Sequence, residues 1–186
     1  VPLVFSLAAC GSSSNGNGDS KKITIGVVGN ETANQVLKDE AAKQGITIEY
    51  SEFTDYAQPN PAVDAGDNNM NRFQHIAYLA NYNVSSGKDL QIVGSTNIYP
   101  MAIFSKKHKK VDEIPQGGTI AIPNDSVNEA RALLLLKAQN LVTFKSEVHT
   151  PTHNDIDTGK SKVKVTPVDA AQTVVSLDSV DAAVIN

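Results

Sequence analysis

Apolar residues occupy every second position in two stretches near the start of the chain, at 23–27 and at 46–50. This alternation is typical of strands. Between the two stretches, residues 33–41 place apolar side chains at helical spacing, and Gly45 stands where a helix end favours a left-handed residue. Strand, helix and strand within about thirty residues predict a βαβ unit with parallel strands.

The same types of element recur to the end of the sequence. Short apolar runs predict strands at 90–93, 102–104, 119–122, 163–168 and 182–185, and residues 169–177 predict a short helix. No internal repeat is present. Alternating strands and helices of this kind indicate an α/β protein.

A longer helix is predicted after residue 122. Ser126 and Glu129 have the spacing of a capping box, so we expect Ser126 to cap the helix. Asn140 is its predicted end. The predicted apolar face consists of Ala130, Leu133, Leu134 and Ala138.

Cys10 is the single cysteine of the chain and follows Leu7-Ala8-Ala9 and a short apolar run. This pattern is typical of a lipobox, at which a secretory leader is removed and the cysteine is lipidated. The alternative is an incidental cysteine near the terminus. Without a starting methionine and a basic region, residues 1–10 are interpreted as part of a signal peptide. Residues 11–22, rich in Gly, Ser and Asn, are predicted to be a disordered tether.

Composition narrows the function without defining it. The 186 residues are 40% hydrophobic and 19% charged, which indicates a globular protein, and no apolar run approaches the length of a membrane span. A net charge of -4 argues against a nucleic-acid-binding protein. The basic run at 106–110 is interpreted as a solvated loop, with a lipid or nucleic-acid patch as the alternative.

Four sequence blocks resemble, in order, those of the NlpA lipoprotein family. They are EFTDYAQPN (52–60), NRFQHIAYL (71–79), IPND (122–125) with NEARALLLL (128–136), and DAAVIN (181–186). The resemblance covers residues 23–186. It implies a substrate-binding lipoprotein of a methionine ABC importer, extracytoplasmic and attached to the cell membrane through lipid on Cys10, with an ABC permease as its partner.

The resemblance also implies an α/β fold of the two-lobed periplasmic-binding-protein type II kind, with ligand between the lobes. We expect lobe 1 at 23–105 and lobe 2 at 106–186. Members of the family continue beyond the block that ends in Asn186 and return to complete lobe 1. The chain is therefore expected to be truncated at its C-terminus.

Residues 73–82 carry the most distinctive candidate chemistry. As a helix, they would place His75, Tyr78 and Tyr82 on one face and an apolar set, Phe73, Ile76, Ala77 and Ala80, on another. Aromatic rings pack well against a thioether, and imidazole and phenol groups supply hydrogen bonds. From spacing alone, a structural histidine and core tyrosines are the alternative; the resemblance favours a cleft wall.

Arg131 lies near the start of the helix predicted after residue 122. Its guanidinium can hold a carboxylate through two parallel hydrogen bonds, and the resemblance assigns it to the α-carboxylate of an amino acid. The alternative is a surface ion pair with Glu129 or Asp125. The resemblance implies that Asn186 binds the polar head of the ligand. Tyr56 and Asn60 are weaker candidates, because residues 55–60 are also interpretable as a turn. The predicted ligand-binding residues are Tyr56, Asn60, Phe73, His75, Tyr78, Asn128, Arg131 and Asn186.

Other classes of function have weaker support. His149 and His153 have the spacing of metal ligands on a helix, but Pro151 lies between them, so they are expected in a loop. Phosphate-loop, nucleophile-elbow and dinucleotide motifs are lacking, and we expect neither an enzyme nor a cofactor. A lipoprotein that binds a protein or host partner is the main alternative. Arg72, Tyr99 and residues 67–70 depart from the family pattern, which leaves another amino acid or a methionine-containing dipeptide as alternative ligands.

Overall fold

The computed structural model describes residues 21–29 and 31–186, and Cys10 with most of the predicted tether lies outside this part of the chain. Its strands and helices alternate along the sequence, as expected for an α/β protein. They are β1 (Lys21–Val28), α1 (Thr32–Lys43), β2 (Ile46–Phe53), α2 (Pro59–Asp64), β3 (Met70–Asn71), α3 (Ile76–Ser86), β4 (Ala102–Phe104), β5 (Thr119–Pro123), α4 (Ser126–Ala138), β6 (Lys164–Val168), α5 (Thr173–Ser176) and β7 (Ala182–Ile185).

Lobe 1 is built on a parallel sheet with the strand order β2-β1-β3. Strands β1 and β2 and the helix between them form the predicted βαβ unit, and Gly45 ends α1 with a φ of 72°. The core of this lobe consists of Ile25, Val27 and Ile48, against which the apolar side of α1 packs. Strand β1 begins at Lys21, two residues before the predicted boundary, because Lys21 and Lys22 pair with the start of β2.

Lobe 2 contains a four-stranded sheet with the order β4-β7-β5-β6. Strand β5 is parallel to β6 and β7, whereas β4 runs antiparallel to β7. Strand β4 therefore pairs within the sheet of lobe 2, and the division of the lobes after residue 105 stays a prediction. The largest buried cluster of the described residues fills this lobe, where Ile120, Leu133 and Leu136 are fully shielded from solvent.

The predicted strand at 90–93 is wrong. Residues 87–101 form no strand or helix, and Ile92 and Val93 are 57% and 81% exposed. No strand of the described residues pairs with this segment, so its apolar sequence lacks the ladder that would make it a strand. Residues 87–101 connect lobe 1 to lobe 2 and are called the inter-lobe link below.

Helix α4 ends as predicted, with Asn140 at a φ of 57°, but it begins differently. Asp125 is its cap, since its carboxylate accepts a hydrogen bond from the Asn128 amide at 2.9 Å, and Ser126 is already helical. The predicted apolar face is also wrong in part, because Leu134 and Ala138 are exposed. The buried side chains of α4 include Glu129, Ala132, Leu133 and Leu136, so the buried face is rotated relative to the predicted one.

Within the described residues, no helix is long and apolar enough to cross a membrane.

Candidate ligand-binding site

The predicted site residues collect where strands of both lobes end. Phe73 and His75 follow β3, Asn128 lies in the first turn of the helix after β5, and Asn186 directly follows β7. In open α/β sheets, ligands bind at the carboxyl ends of the strands, where the loops leave the sheet. The fold therefore brings these side chains to the region between the lobes.

Three aromatic side chains of lobe 1 form the apolar part of the site. The rings of Tyr56 and Tyr78 each lie 5.6 Å from the ring of Phe73 and 6.2 Å from one another, all in edge-to-face arrangements. The Tyr78 hydroxyl donates to the Tyr56 carbonyl oxygen at 2.9 Å, which fixes the orientation of the ring. The result is a rigid aromatic cluster from three separate segments.

His75 caps α3 and also reaches lobe 2. Its Nδ1 accepts a hydrogen bond from the Tyr78 amide at 3.2 Å, so the ring proton is assigned to Nε2, which lies 2.9 Å from the Asn128 Oδ1. Because His75 is the cap, α3 begins at Ile76 and the prediction of a helix from Phe73 is wrong. The predicted apolar face is wrong as well: Ile76 is 70% exposed, and Leu79 is the buried residue of the helix.

Asn128 is the center of the polar part of the site. Its side chain is buried, donates to the Asp125 carboxylate at 3.0 Å, and accepts at Oδ1 from both His75 and Arg131. The Arg131 Nη1 lies 2.8 Å from this oxygen. No carboxylate of the described residues pairs with Arg131; Asp125 caps the helix, and Glu129 binds His153. The surface ion pair considered as an alternative is therefore not formed, and most guanidinium donors remain available.

Asn186 and Tyr56 meet across the two lobes. A hydrogen bond with the Asn186 side chain partly offsets the effect of burial, which raises the pKa of the Tyr56 hydroxyl. The Asn186 Oδ1 is buried and has no hydrogen-bond partner within the described residues. A buried acceptor without a donor costs free energy, so this oxygen favours a ligand that brings an N–H group.

Asn60 lies at the site, but its side chain is already hydrogen-bonded to Asn71 and Gln74. It is buried, its Oδ1 accepts from Asn71 at 2.8 Å, and its amide and that of Gln74 bind each other reciprocally at 2.6 and 2.9 Å. These bonds fix the segment between β3 and α3 that carries Phe73. Asn60 is thus positioned to shape the site and has little hydrogen-bonding capacity left for a ligand.

Tyr56 and Tyr78 are partly buried, and carboxylates lie near them. Burial, followed by the carboxylates of Asp125 and Asp169, raises the pKa of Tyr78 to about 12. Both Tyr56 and Tyr78 are therefore protonated at neutral pH and remain hydrogen-bond donors. The nearby carboxylates favour a positive charge on a ligand.

A cavity of about 210 Å³ lies beside the aromatic cluster. Sequence reasoning missed Asn81 and Ser85 of its lining; together with Tyr78 and Tyr82 they occupy positions i, i+3, i+4 and i+7 of α3, so helical spacing contained the signal. The lining residues are Tyr56, Ala57, Asn60, Tyr78, Asn81, Tyr82, Ser85 and Asp125. A larger depression of about 420 Å³, at residues such as Asp112, Asn140 and Lys162, lies on lobe 2 and contains no aromatic side chain.

His153 is held by the side chain of Glu129. It lies in a short 3-10 turn, and both its amide and its Nδ1 are 2.7 Å from the Glu129 Oε1. Among residues 21–29 and 31–186, no group of three His, Cys, Asp or Glu side chains is arranged to hold a metal ion.

Two α/β lobes with aromatic and polar groups between them define the class of two-lobed substrate-binding proteins. The sequence model of the NlpA lipoproteins matches residues 23–186, and the chain belongs to this family. The predicted family and fold class are thereby confirmed.

Relatives with known names include two kinds of lipoprotein. The chain is 42% identical over 173 residues to outer membrane lipoprotein 1 of Mannheimia haemolytica, covering 89% of this chain and 61% of that protein. It is 39% identical over 184 residues to the probable D-methionine-binding lipoprotein MetQ of Vibrio cholerae, covering 97% of this chain and 67% of that protein. These names describe lipoproteins and a binding protein.

Solved structures of binding proteins also align with the chain. The substrate binding protein of a methionine transporter from Streptococcus pneumoniae aligns with a TM-score of 0.80 at 40% identity, over 89% of this chain and 68% of that one. A nutrient binding protein from Burkholderia cenocepacia, bound to methionine, aligns with a TM-score of 0.79 at 39% identity, over 88% and 71%. The chain thus spans roughly three fifths to two thirds of the curated relatives above and somewhat more of these structures.

Proposed function

We propose that this protein is an extracytoplasmic solute-binding lipoprotein that captures methionine, or a close relative of it, between its lobes and delivers it to an ABC permease. The observation that carries the proposal is the connection that His75 makes between the lobes: its ring lies 6.2 Å from that of Tyr78 in the aromatic cluster, and its Nε2 shares the Asn128 Oδ1 with Arg131 of lobe 2. This arrangement places an apolar surface and a carboxylate-binding group on the two sides of one polar contact. The names of the relatives point to the same class of ligand.

Each part of methionine has a proposed partner. The rings of Tyr56, Phe73 and Tyr78 offer a polarizable surface on which a thioether packs favourably. Arg131 would hold the α-carboxylate, because its guanidinium has free donors and lies in the N-terminal half of α4, whose dipole favours an anion.

The α-ammonium group would bind on the other side of the site. The unpartnered Asn186 Oδ1 can accept one of its hydrogen bonds, and the Asp125 and Asp169 carboxylates near the tyrosines favour its positive charge. His75 and Asn128 would hold the lobes together around the ligand through their mutual hydrogen bond. Closure would involve hinge motion of the two lobes and no covalent chemistry.

The cavity beside the aromatic cluster is small. Its volume of about 210 Å³ is below the roughly 300–1,000 Å³ of pockets for drug-sized ligands. It would hold only part of the ligand, because Arg131 and Asn186 lie outside its lining.

Calorimetric titration of the chain with L-methionine, D-methionine, glycyl-methionine and a panel of other amino acids tests this proposal, with circular dichroism to verify folding. Saturable binding of methionine, with weaker or no binding of leucine and glutamate, is the expected result. A folded chain that binds none of the amino acids or the dipeptide would contradict it.

A second candidate is a lipoprotein that binds a protein or host partner. Large apolar side chains exposed on α3 and on the inter-lobe link favour it: Ile76, Val84, Ile92, Val93 and Ile98 are each more than half exposed. Under this alternative, substitution of Ile98 and Val93 by serine would abolish partner binding and leave methionine binding unchanged, whereas solute capture alone predicts no partner to lose.

A further inference from the structure

The inter-lobe link has almost no support from regular structure. It leaves α3 after Ser86, enters β4 at Ala102 and contains no strand or helix. All side chains from 91 to 100 are exposed, so no apolar core holds the link in place. In the described residues it is the single passage of the chain from lobe 1 to lobe 2. Its conformation is therefore one determinant of how the lobes are oriented.

Specific polar contacts attach the link to lobe 1. At its beginning, the Asn83 side chain of α3 donates to the Leu90 carbonyl and accepts from the Leu90 amide, at 3.0 and 3.1 Å. Near its end, the Arg72 Nη2 donates to the Asn97 Oδ1 at 2.8 Å. The Tyr99 hydroxyl lies 3.4 Å from the Glu31 carboxylate, at the limit of a hydrogen bond.

Arg72 is held firmly on its lobe 1 side. Its backbone amide donates to the Gly26 carbonyl of β1 at 2.8 Å. Its Nη1 donates to the Glu31 Oε2 at 2.9 Å and to the Asn34 Oδ1 at 2.7 Å, and only 12% of the side chain is exposed. A planar guanidinium that is bonded in this way has a fixed direction, and shielding from water strengthens its ion pair. The remaining arm points to Asn97.

We infer that Arg72 is the positioning residue of the inter-lobe hinge, fixing the link to lobe 1 at Asn97. Rotation of the lobes is thereby confined to the part of the link after Asn97, in which the Tyr99 hydroxyl also approaches Glu31 and Pro100 has a restricted backbone. Confining the rotation reduces the conformations that the chain loses when it closes on a ligand, and such preorganisation increases affinity.

The role of Arg72 is distinct from ligand contact. Its guanidinium is occupied by Glu31, Asn34 and Asn97, whereas the Arg131 guanidinium donates to Asn128 alone among the described residues. Phe73, the next residue, is the one that belongs to the aromatic cluster. A change at Asn97 therefore alters the hinge and leaves the site residues in place. The inference rests on the proposed function only for its effect on affinity.

The experiment uses the full chain with fluorescent labels on cysteines introduced at Lys38 in lobe 1 and Lys145 in lobe 2, in a Cys10→Ser background. Single-molecule energy transfer then reports the distribution of inter-lobe distances without ligand. Asn97→Ala removes the acceptor of Arg72, Asn97→Asp retains an acceptor and adds a charge, and Thr96→Ala is the neighbouring exposed control. Affinity for methionine is measured for each variant by calorimetry.

Asn97→Ala is expected to broaden the distance distribution and to weaken methionine binding by about 3- to 10-fold, the effect of one ordinary hydrogen bond, because the contact is exposed to solvent. Asn97→Asp and Thr96→Ala are expected to match the parent chain. An unchanged distribution in Asn97→Ala, or equal broadening in all three variants, would overturn the inference. If the parent chain binds no methionine, the proposed function fails, but the distances of the unliganded chain still test the hinge.

Discussion

The Nε2 of His75 lies 2.9 Å from the Oδ1 of Asn128, so one hydrogen bond connects the cap of α3 in lobe 1 with the first turn of α4 in lobe 2. The other ring nitrogen of His75, Nδ1, accepts a hydrogen bond from the Tyr78 amide. One side chain thus fixes the start of a helix and the approach of the second lobe.

Separate substitutions distinguish these two roles. His75→Asn retains a good helix cap but is too short to reach Asn128, whereas His75→Ala removes both interactions. We expect both variants to weaken methionine binding on the order of 10-fold, and only His75→Ala to lower thermal stability, by about 1 kcal/mol. Calorimetric titration and thermal unfolding measure the two effects. Full affinity in His75→Asn would show that the inter-lobe bond has no part in binding.

Arg131→Ala is expected to lower methionine affinity on the order of 100-fold and to leave the fold intact, because the guanidinium has no ion-pair partner among the described residues. Arg131→Lys keeps the charge but loses the bidentate geometry, and an intermediate affinity is expected. Calorimetry with methionine and with methioninamide, which lacks the carboxylate, provides the check. Near-parental affinity of Arg131→Ala would contradict the assignment to the carboxylate.

The buried Glu129 carboxylate stabilises lobe 2 by accepting two hydrogen bonds from His153. Its side chain is 9% exposed and that of His153 is 47% exposed. Glu129→Ala leaves the His153 amide without its partner, so we expect a loss of about 2 kcal/mol in the free energy of unfolding. His153→Ala retains the amide contact and should cost less than about 1 kcal/mol. Urea unfolding of both single variants and the double variant measures the coupling, and equal losses in the two single variants would refute this account.

Asp181 gives the protein a pH-dependent element of stability. The Thr119 amide donates to its carboxylate at 2.7 Å and is the largest cause that lowers the Asp181 pKa below its ordinary value of 3.8. A lowered carboxyl pKa contributes stability above the unfolded value, and this contribution is lost as pH falls through the folded value. Asp181→Asn should therefore be less stable at neutral pH, and its deficit should shrink below about pH 4.

Thermal unfolding at a series of pH values measures this deficit. Asp178→Asn is the matched control, since Asp178 forms an exposed pair with Lys106 and such pairs stabilise little. A deficit of Asp181→Asn that is independent of pH would show that the charge of the carboxylate is not involved.

Membrane attachment through Cys10 stays a prediction, because this residue lies outside the described part of the chain. Expressed behind a bacterial lipoprotein leader, the parent chain should sediment with membranes and Cys10→Ser should be released into the soluble fraction. Metabolic labelling with a fatty acid is expected only for the parent. Membrane association of Cys10→Ser would contradict the lipobox interpretation.

Local sequence signals predicted much of the fold because they depend on neighbouring residues. Alternation predicted β1 and β2, a short apolar run predicted β5, and Gly45 and Asn140 marked the two helix ends where the backbone takes a positive φ. The link shows the limit of this reasoning: residues 90–93 have strand composition, but a strand also requires a pairing partner, which a local pattern does not specify.

The sequence indicated residues of the candidate site but not how their side chains are arranged relative to one another. Tyr56, Phe73 and Tyr78 come from three segments, and their mutual contacts depend on the tertiary fold. The start of α4 was misassigned because Asp125 and Ser126 are both good caps and adjacent in sequence. The roles of Arg72 and Glu129 were missed because each depends on a distant partner, Asn97 and His153, respectively.

The antiparallel pairing of β4 with β7 also affects how the chain folds during synthesis. Ala102 pairs with Ile185, so the first strand of lobe 2 must wait for the last one to leave the ribosome, while β1, α1 and β2 can assemble from neighbouring residues much earlier. Contacts so distant in sequence slow folding, and partly folded chains expose apolar strands. Lobe 2 is therefore expected to complete its fold later than β1, α1 and β2.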